Sequence, residues 1–227
     1  MQAGRTDEKN TGESQEALQE LCQIYWYPLY AFVRRKGHSH ADAEELTQGF
    51  FAHLLTRNRL QLADQEKGRF RSFLLRSIEN FMVQEWRKKS TAKRGGKVAI
   101  RGIDFDDGQR RYSLEPTDNI TAQKLFDRKW AIQILEQALH HLAEYYRSRD
   151  KLELFQQLKP RLVGDSTGSF QDLAERLGMN EIAVKVAAHR MRQLYRATLC
   201  ELVGQTVDSE SGIEQEIADL FSALRRD

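Results

Sequence analysis

Apolar residues recur at three- and four-residue intervals along almost the whole chain, the spacing of one face of an α-helix. Leu18, Leu21, Cys22, Tyr25, Trp26, Leu29, Tyr30 and Val33 mark a first helix across 15–36, which Pro28 should kink or restart. "KGHSH" reads as a turn. Ser39 or His40 can then start a second helix carrying Leu46, Phe50, Phe51, Leu54 and Leu55, with Asp42, Glu44 and Glu45 in its first turn, where the helix dipole favours anions. After a turn at "ADQEKG", a long third helix begins at Phe70. Beyond residue 120, Leu125, Phe126, Trp130, Ile134, Leu135, Ala138, Leu139 and Leu142 mark a further long helix. Leu152, Leu154, Phe155 and Leu158 mark a shorter one, stopped by Pro160. No segment shows a persuasive two-residue alternation, so the fold expected is all-α.

Between these groups, residues 94–119 are rich in glycine and mixed charge and include Pro116. They read as a flexible linker, longer than an ordinary loop, between two small helical domains. The expected division is a polar arm over 1–14, a first domain over 15–93, the linker, a second domain over 120–205, and an acidic amphipathic tail helix over 206–227. The tail helix is marked by Ile213, Ile217, Leu220, Phe221 and Leu224. It either packs on its own domain or docks on a partner, on a regulator, or back over a basic face.

The most specific local pattern is "SFQDLAERLGMNEIAVKVAAHRMRQLYRATL". Ser169 can cap a helix, with Asp172 three residues on. Leu173 and Leu177 face inward, and Ala174 suits a close helix crossing. Gly178 tolerates the left-handed turn conformation, and Asn180 can cap the next helix. Val184, Ala187, Ala188, Met191, Leu194 and Tyr195 form the buried stripe of that helix. Lys185, His189, Gln193 and Arg196 share its outer face, flanked by Val186 and Arg190. This is the grammar of a helix-turn-helix whose second helix enters a major groove.

The third helix, within "KGRFRSFLLRSIENFMVQEWRKKSTAKRGG", divides cleanly on a helical wheel. Phe73, Leu74, Ser77, Ile78 and Phe81 fall within roughly 80° of Phe70, with Met82 and Trp86 at one edge. Opposite lie Ser72, Arg76, Asn80, Val83 and Arg87. Arg71 sits at the apolar margin, where its stem can pack while its head reaches out.

Charge sharpens this reading. The formal net charge is only +2, but residues 69–101 hold ten Lys/Arg against Glu79 and Glu85. A one-signed excess continuing past the helix points to phosphate binding rather than a merely solvated face. Acidic residues cluster instead at Asp42–Glu45, Asp104–Asp107 and Asp208–Asp219, so more than one kind of partner is expected. With 40% apolar and 30% charged residues, no run of eighteen apolar residues and a polar N-terminus, neither a membrane span nor a secretory signal is expected. Cys22 and Cys200 read as buried thiols of a reducing cytoplasm. No nucleophile constellation, nucleotide loop or metal spacing points to an enzyme or a cofactor, and His38, His40, His140 and His141 lack ligand company.

Three passages carry a resemblance: "YWYPLYAFVRRKGHSHADAEELTQGFF", "GRFRSFLLRSIENFMVQEWRKK" and "FQDLAERLGMNEIAVKVAAHRMRQLYR". In that order they resemble bacterial RNA polymerase sigma factors of the extracytoplasmic-function type, which keep sigma regions two and four. "DAEELTQGFF", "GRFRSFLL" and the tail "EIADLF" look most like those of planctomycete-like bacteria. The resemblance spans about residues 15–205. It implies that Asp42, Glu45 and Gln48 meet the β′ clamp helices of core polymerase, with Gly49 standing where the family commonly has an acidic residue. It implies that Gly68, Arg69, Arg71, Arg76, Ser77, Asn80, Arg87 and Lys88 capture the melted non-template strand of the minus-ten element. It also implies that Lys185, Val186, His189, Arg190, Gln193 and Arg196 read the double-stranded minus-thirty-five element, with the second domain on the β flap. An anti-sigma factor would be a further partner, and the setting would be cytoplasmic. Two other classes remain open: a helix-turn-helix regulator that does not recruit polymerase, and a helical protein-interaction adaptor.

Overall fold

The computed structural model describes residues 23–56, 69–91, 104–115, 120–164, 168–207 and 209–225, and every regular element among them is an α-helix. We number these α1 (23–35), α2 (His40–Thr56), α3 (Phe70–Thr91), α4 (Phe105–Ser113), α5 (Ala122–Arg147), α6 (Leu152–Leu162), α7 (Phe170–Leu177), α8 (Glu181–Gly204) and α9 (Glu210–Leu224). The all-α expectation holds. The polar arm, Cys22, the "ADQEKG" turn and Gly68 lie outside the described residues. Cys200 is a free thiol and only partly buried.

Two compact units form. The first holds the described residues of Met1–Gln133, Thr206–Asp208 and Ala218–Asp227, and the second those of Ile134–Gln205 and Ser209–Ile217. The expected boundary at residue 120 therefore differs from the one observed, which falls within α5. The reason is Leu125, Phe126 and Trp130, all fully buried within the first unit. Trp130 Nε1 donates to Tyr25 Oη at 3.2 Å, and Phe126 meets Phe32 edge-on. The tail forms the helix α9, and its residues are divided between the two units, the last of them in the first.

In the first unit α1 is the central helix. Tyr25, Tyr27, Leu29, Tyr30, Phe32 and Val33 are essentially inaccessible, as expected of a helix that is apolar all round. It runs unbroken through Pro28, contrary to the expected kink. Burial on all sides outweighs the roughly 3 kcal/mol that an internal proline costs. Phe70 of α3 meets Tyr25 of α1 edge-on, and Phe50 of α2 meets Phe81 of α3. Gly49 lets α2 and α3 approach: a Cβ there would stand 3.2 Å from the Phe81 ring.

The stretch read as linker contains α4. Asp104 caps it, accepting from the Asp107 N–H at 2.9 Å, and Asp106 and Asp107 sit in its first turn. The acidic cluster there is thus helix-start chemistry. Phe105 and Gly108 are buried against Trp26 and Tyr30; a Cβ on Gly108 would lie 3.0 Å from the Trp26 ring. Glu115 then accepts from Tyr27 Oη at 3.3 Å and pairs with Lys129. Residues 104–115 are therefore an ordered part of the first unit. The remainder of 94–119 lies outside the described residues.

The second unit closes around Leu142, Phe155, Leu158, Leu173, Val184, Ala188 and Met191. Its local chemistry follows the sequence closely. Ser169 and Asp172 form a reciprocal capping box, Gly178 takes the left-handed conformation at φ 61°, and Asn180 accepts from the Ala183 N–H at 2.7 Å. One detail differs: α6 continues two residues past Pro160, because the proline falls in its last turn.

Candidate functional site

Three surfaces hold the residues singled out above. The first lies on α2. Ser39 Oγ accepts from the Asp42 N–H at 3.1 Å and donates to the Asp42 carboxylate at 2.6 Å, so Asp42 is half engaged in starting its own helix. Glu45 is exposed and Gln48 half-buried, with Gln48 Nε2 donating to Glu44 at 3.2 Å. Asp42, Glu45 and Gln48 follow i, i+3, i+6 and span about 120° of the helix. Gly49, where an acidic contact would be expected, is used instead for packing against Phe81.

The second surface is the outward face of α3. Leu74, Leu75, Ile78 and Phe81 bury the inner side. Arg76, Asn80, Val83 and Arg87 are exposed and fall within about 40° of one another's mean direction. Ser77 is half-buried beside them. Lys88 is exposed and bonded to Glu85 at 2.7 Å, one turn back. Glu79, on the same helix, pairs with Lys36 at 3.0 Å. Two apolar side chains complete the surface: Val83, 49% exposed, and Trp86, 72% exposed. Trp86, read above as the edge of the core, stands in solvent, because at 100° per residue it lies about 160° from Phe70 and so faces away from the buried side. A tryptophan directly before "RKK" was the signal available in the sequence.

Two residues expected on this surface are not free to serve as drawn. Arg71 is buried and turned into the protein. It pairs with Asp127 and, at 3.0 Å, with Asp219, and its guanidinium lies 4.8 Å from the Trp130 ring centroid. Burial of a cation requires such company, so Arg71 ties α3 to α5 and α9 rather than presenting to DNA. Arg69, about a third exposed, also pairs with Asp219.

The third surface is the outer face of α8. Lys185, Val186, His189, Arg190, Gln193 and Arg196 are all exposed. Ile182, 75% exposed, stands near the middle of the same face and was missed because it was counted with neither the buried stripe nor the polar face. Lys185 is steadied by Glu181 at 2.7 Å. Buried groups behind these faces are held neutral. Burial, reinforced by the Glu115 charge, raises the Tyr27 phenol well above its ordinary range, and burial pushes Tyr195 up to about 12. Among the described residues, no group of three or more His, Cys, Asp and Glu side chains is placed to hold a metal ion. Likewise no described helix is long and apolar enough to cross a membrane.

The helical bundle carrying the acidic and basic faces defines a class of module that sequence comparison can test. Residues 25–91 match the family model for sigma-70 region 2, covering nearly all of α1 with α2 and α3. The match supports a sigma-70-type region in this chain, and with it a role in RNA polymerase binding and promoter melting. No curated protein and no solved structure matches the chain.

Proposed function

We propose that the chain is a sigma factor of the extracytoplasmic-function type that recruits core RNA polymerase and opens promoter DNA, without catalysing a reaction itself. The observation that carries this is the exposed row Arg76, Asn80, Val83 and Arg87 with Trp86, on the helix that ends the matched region. Single-stranded DNA is held by a cationic groove and aromatic platforms together, and one base stacked on an aromatic is worth about 1–3 kcal/mol. A plain solvated helix gains nothing from a nearly naked tryptophan. Ser77 and Lys88 flank the row, and Arg69 stands at its start. α2 offers Asp42, Glu45 and Gln48 to the β′ clamp helices.

The second unit supports duplex reading. α7 and α8 are joined by the Gly178–Asn180 turn as in a helix-turn-helix, and α8 presents Lys185, His189, Arg190, Gln193 and Arg196 with Ile182 and Val186. Long polar side chains reach base edges and phosphates, while the apolar pair fits thymine methyls. An anti-sigma factor and a cytoplasmic setting belong to the same reading. Co-fractionation with core polymerase followed by in-vitro transcription tests it. Asn80→Ala should weaken open-complex formation while sparing core binding, and Lys185→Ala should weaken upstream duplex recognition. Equal loss of core binding in both would point to misfolding.

A further inference from the structure

Phe170, the half-buried first residue of α7, has a part that the capping box around it does not require. Two cations from different helices lie by its ring. The Arg161 guanidinium of α6 stands 4.1 Å from the ring centroid, and Lys185 Nζ of α8 stands 5.8 Å from the same point. The two charges are therefore closer together than the roughly 12 Å width of a DNA major groove.

Arg161 is half-buried and held in one orientation. It lies over the ring, and its Nη2 donates to the Gly168 carbonyl at 2.6 Å, where Gly168 turns the chain at φ 91°. A guanidinium carries five N–H donors, so one bonded to a carbonyl can still fork onto a phosphate. A stacked guanidinium is also preorganised and loses less freedom on gripping an anion than a loose surface side chain does. Two acids of this corner have partners within it: Asp172 accepts from the Ser169 N–H at 3.0 Å, and Glu181 pairs with Lys185 at 2.7 Å. Lys185 belongs to the face that is proposed above to enter the groove. Base edges form the floor of a groove and phosphates its walls. A cation beside Lys185, but carried by the neighbouring helix, stands where a wall would be.

We infer that Arg161, stacked on Phe170 beside Lys185, grips a backbone phosphate at the wall of the groove that α8 enters. Arg161 then sets the register of α8 on the duplex and reads no base itself. Phe170 is a positioning residue for both cations. The inference rests on the duplex-reading role of α8.

The test uses the full chain and a fluorescent DNA duplex of mixed sequence, with affinity measured across a salt series. Losing one phosphate contact makes the dependence of log affinity on log salt shallower by about 0.9. Arg161→Gln should show that change and weaken binding at low salt about fivefold. Arg161→Lys should keep the slope but not the full affinity, because an ammonium lacks the fork. Lys159→Gln, two residues earlier and about 200° round α6, should leave the slope as it is. A folded Arg161→Gln with the slope and affinity of wild type overturns the inference. Footprinting of the unaltered chain gives a second readout. Duplex DNA should shield Arg161 from an arginine-modifying dicarbonyl, together with Arg190 on the reading face. Shielding of Arg190 without Arg161 sinks the phosphate grip alone. Shielding of neither, with no duplex bound, sinks the duplex-reading role and the grip with it.

Discussion

Gly178 shows how much a single residue can decide. At φ 61° it closes α7, and nothing lies within 4 Å of a Cβ built there, so the constraint is backbone strain alone. Gly178→Ala should lower the stability of the second unit by about 1 kcal/mol, read as a drop in thermal midpoint. Asp172 gives a pH test of the same corner. Hydrogen bonds from the Ser169 backbone and hydroxyl hold its carboxyl below the ordinary value of 3.8. A lowered folded value means that its stabilisation is present above that ordinary value and is lost as pH falls through the folded one. The midpoint advantage of wild type over Asp172→Asn should therefore be flat from neutral pH down to about the ordinary carboxylate value, then shrink in stronger acid. An advantage that grows in acid would contradict it. Ser169, Asp172, Gly178 and Asn180 were all legible in sequence, because caps and left-handed turns depend on residues within four positions of one another. Arg71 was not. Its partners Asp127 and Asp219 stand 56 and 148 residues away, and no local periodicity pairs them.

At the scale of elements, helices with one apolar stripe were read from spacing, whereas α4 was not. "DFDDGQRRYS" is charged and holds a glycine, a poor helix on propensity. It forms because Asp104 caps it and because Gly108 lets it lie on Trp26. Gly108→Val should push α4 off α1 and cost about 1–3 kcal/mol by overpacking, seen as a lower unfolding midpoint and faster exchange across 105–113. α3 is the element where stability and function separate. Its inner face ends at Phe81, while Trp86 touches little protein. Trp86→Ala should leave stability within about 0.5 kcal/mol yet weaken open-complex formation by about 1–3 kcal/mol. Stopped-flow measurement of promoter opening, beside a thermal melt, reads both. A fall in stability without a fall in opening would return Trp86 to the core.

For the whole molecule, charge segregation was the most informative feature of the sequence, and the structure gives each acidic group a distinct use. Asp104–Asp107 starts α4. Asp219 holds Arg69 and Arg71. The α2 group keeps Glu45 exposed on its surface. Glu45→Lys should therefore weaken association with core polymerase while leaving the thermal midpoint near wild type. The unit boundary was less legible, because α5 reads as one uninterrupted amphipathic pattern although Leu125, Phe126 and Trp130 are buried within the first unit.

Adding the purified full chain to core RNA polymerase on a library of genomic fragments, with melted bases mapped by permanganate, bears on all of this at once. Initiation should begin at a discrete set of sites, with melting beside each start. Asn80→Ala combined with Trp86→Ala should abolish that melting while leaving the chain bound to core. A chain that neither binds core nor directs initiation from any fragment would contradict the sigma reading.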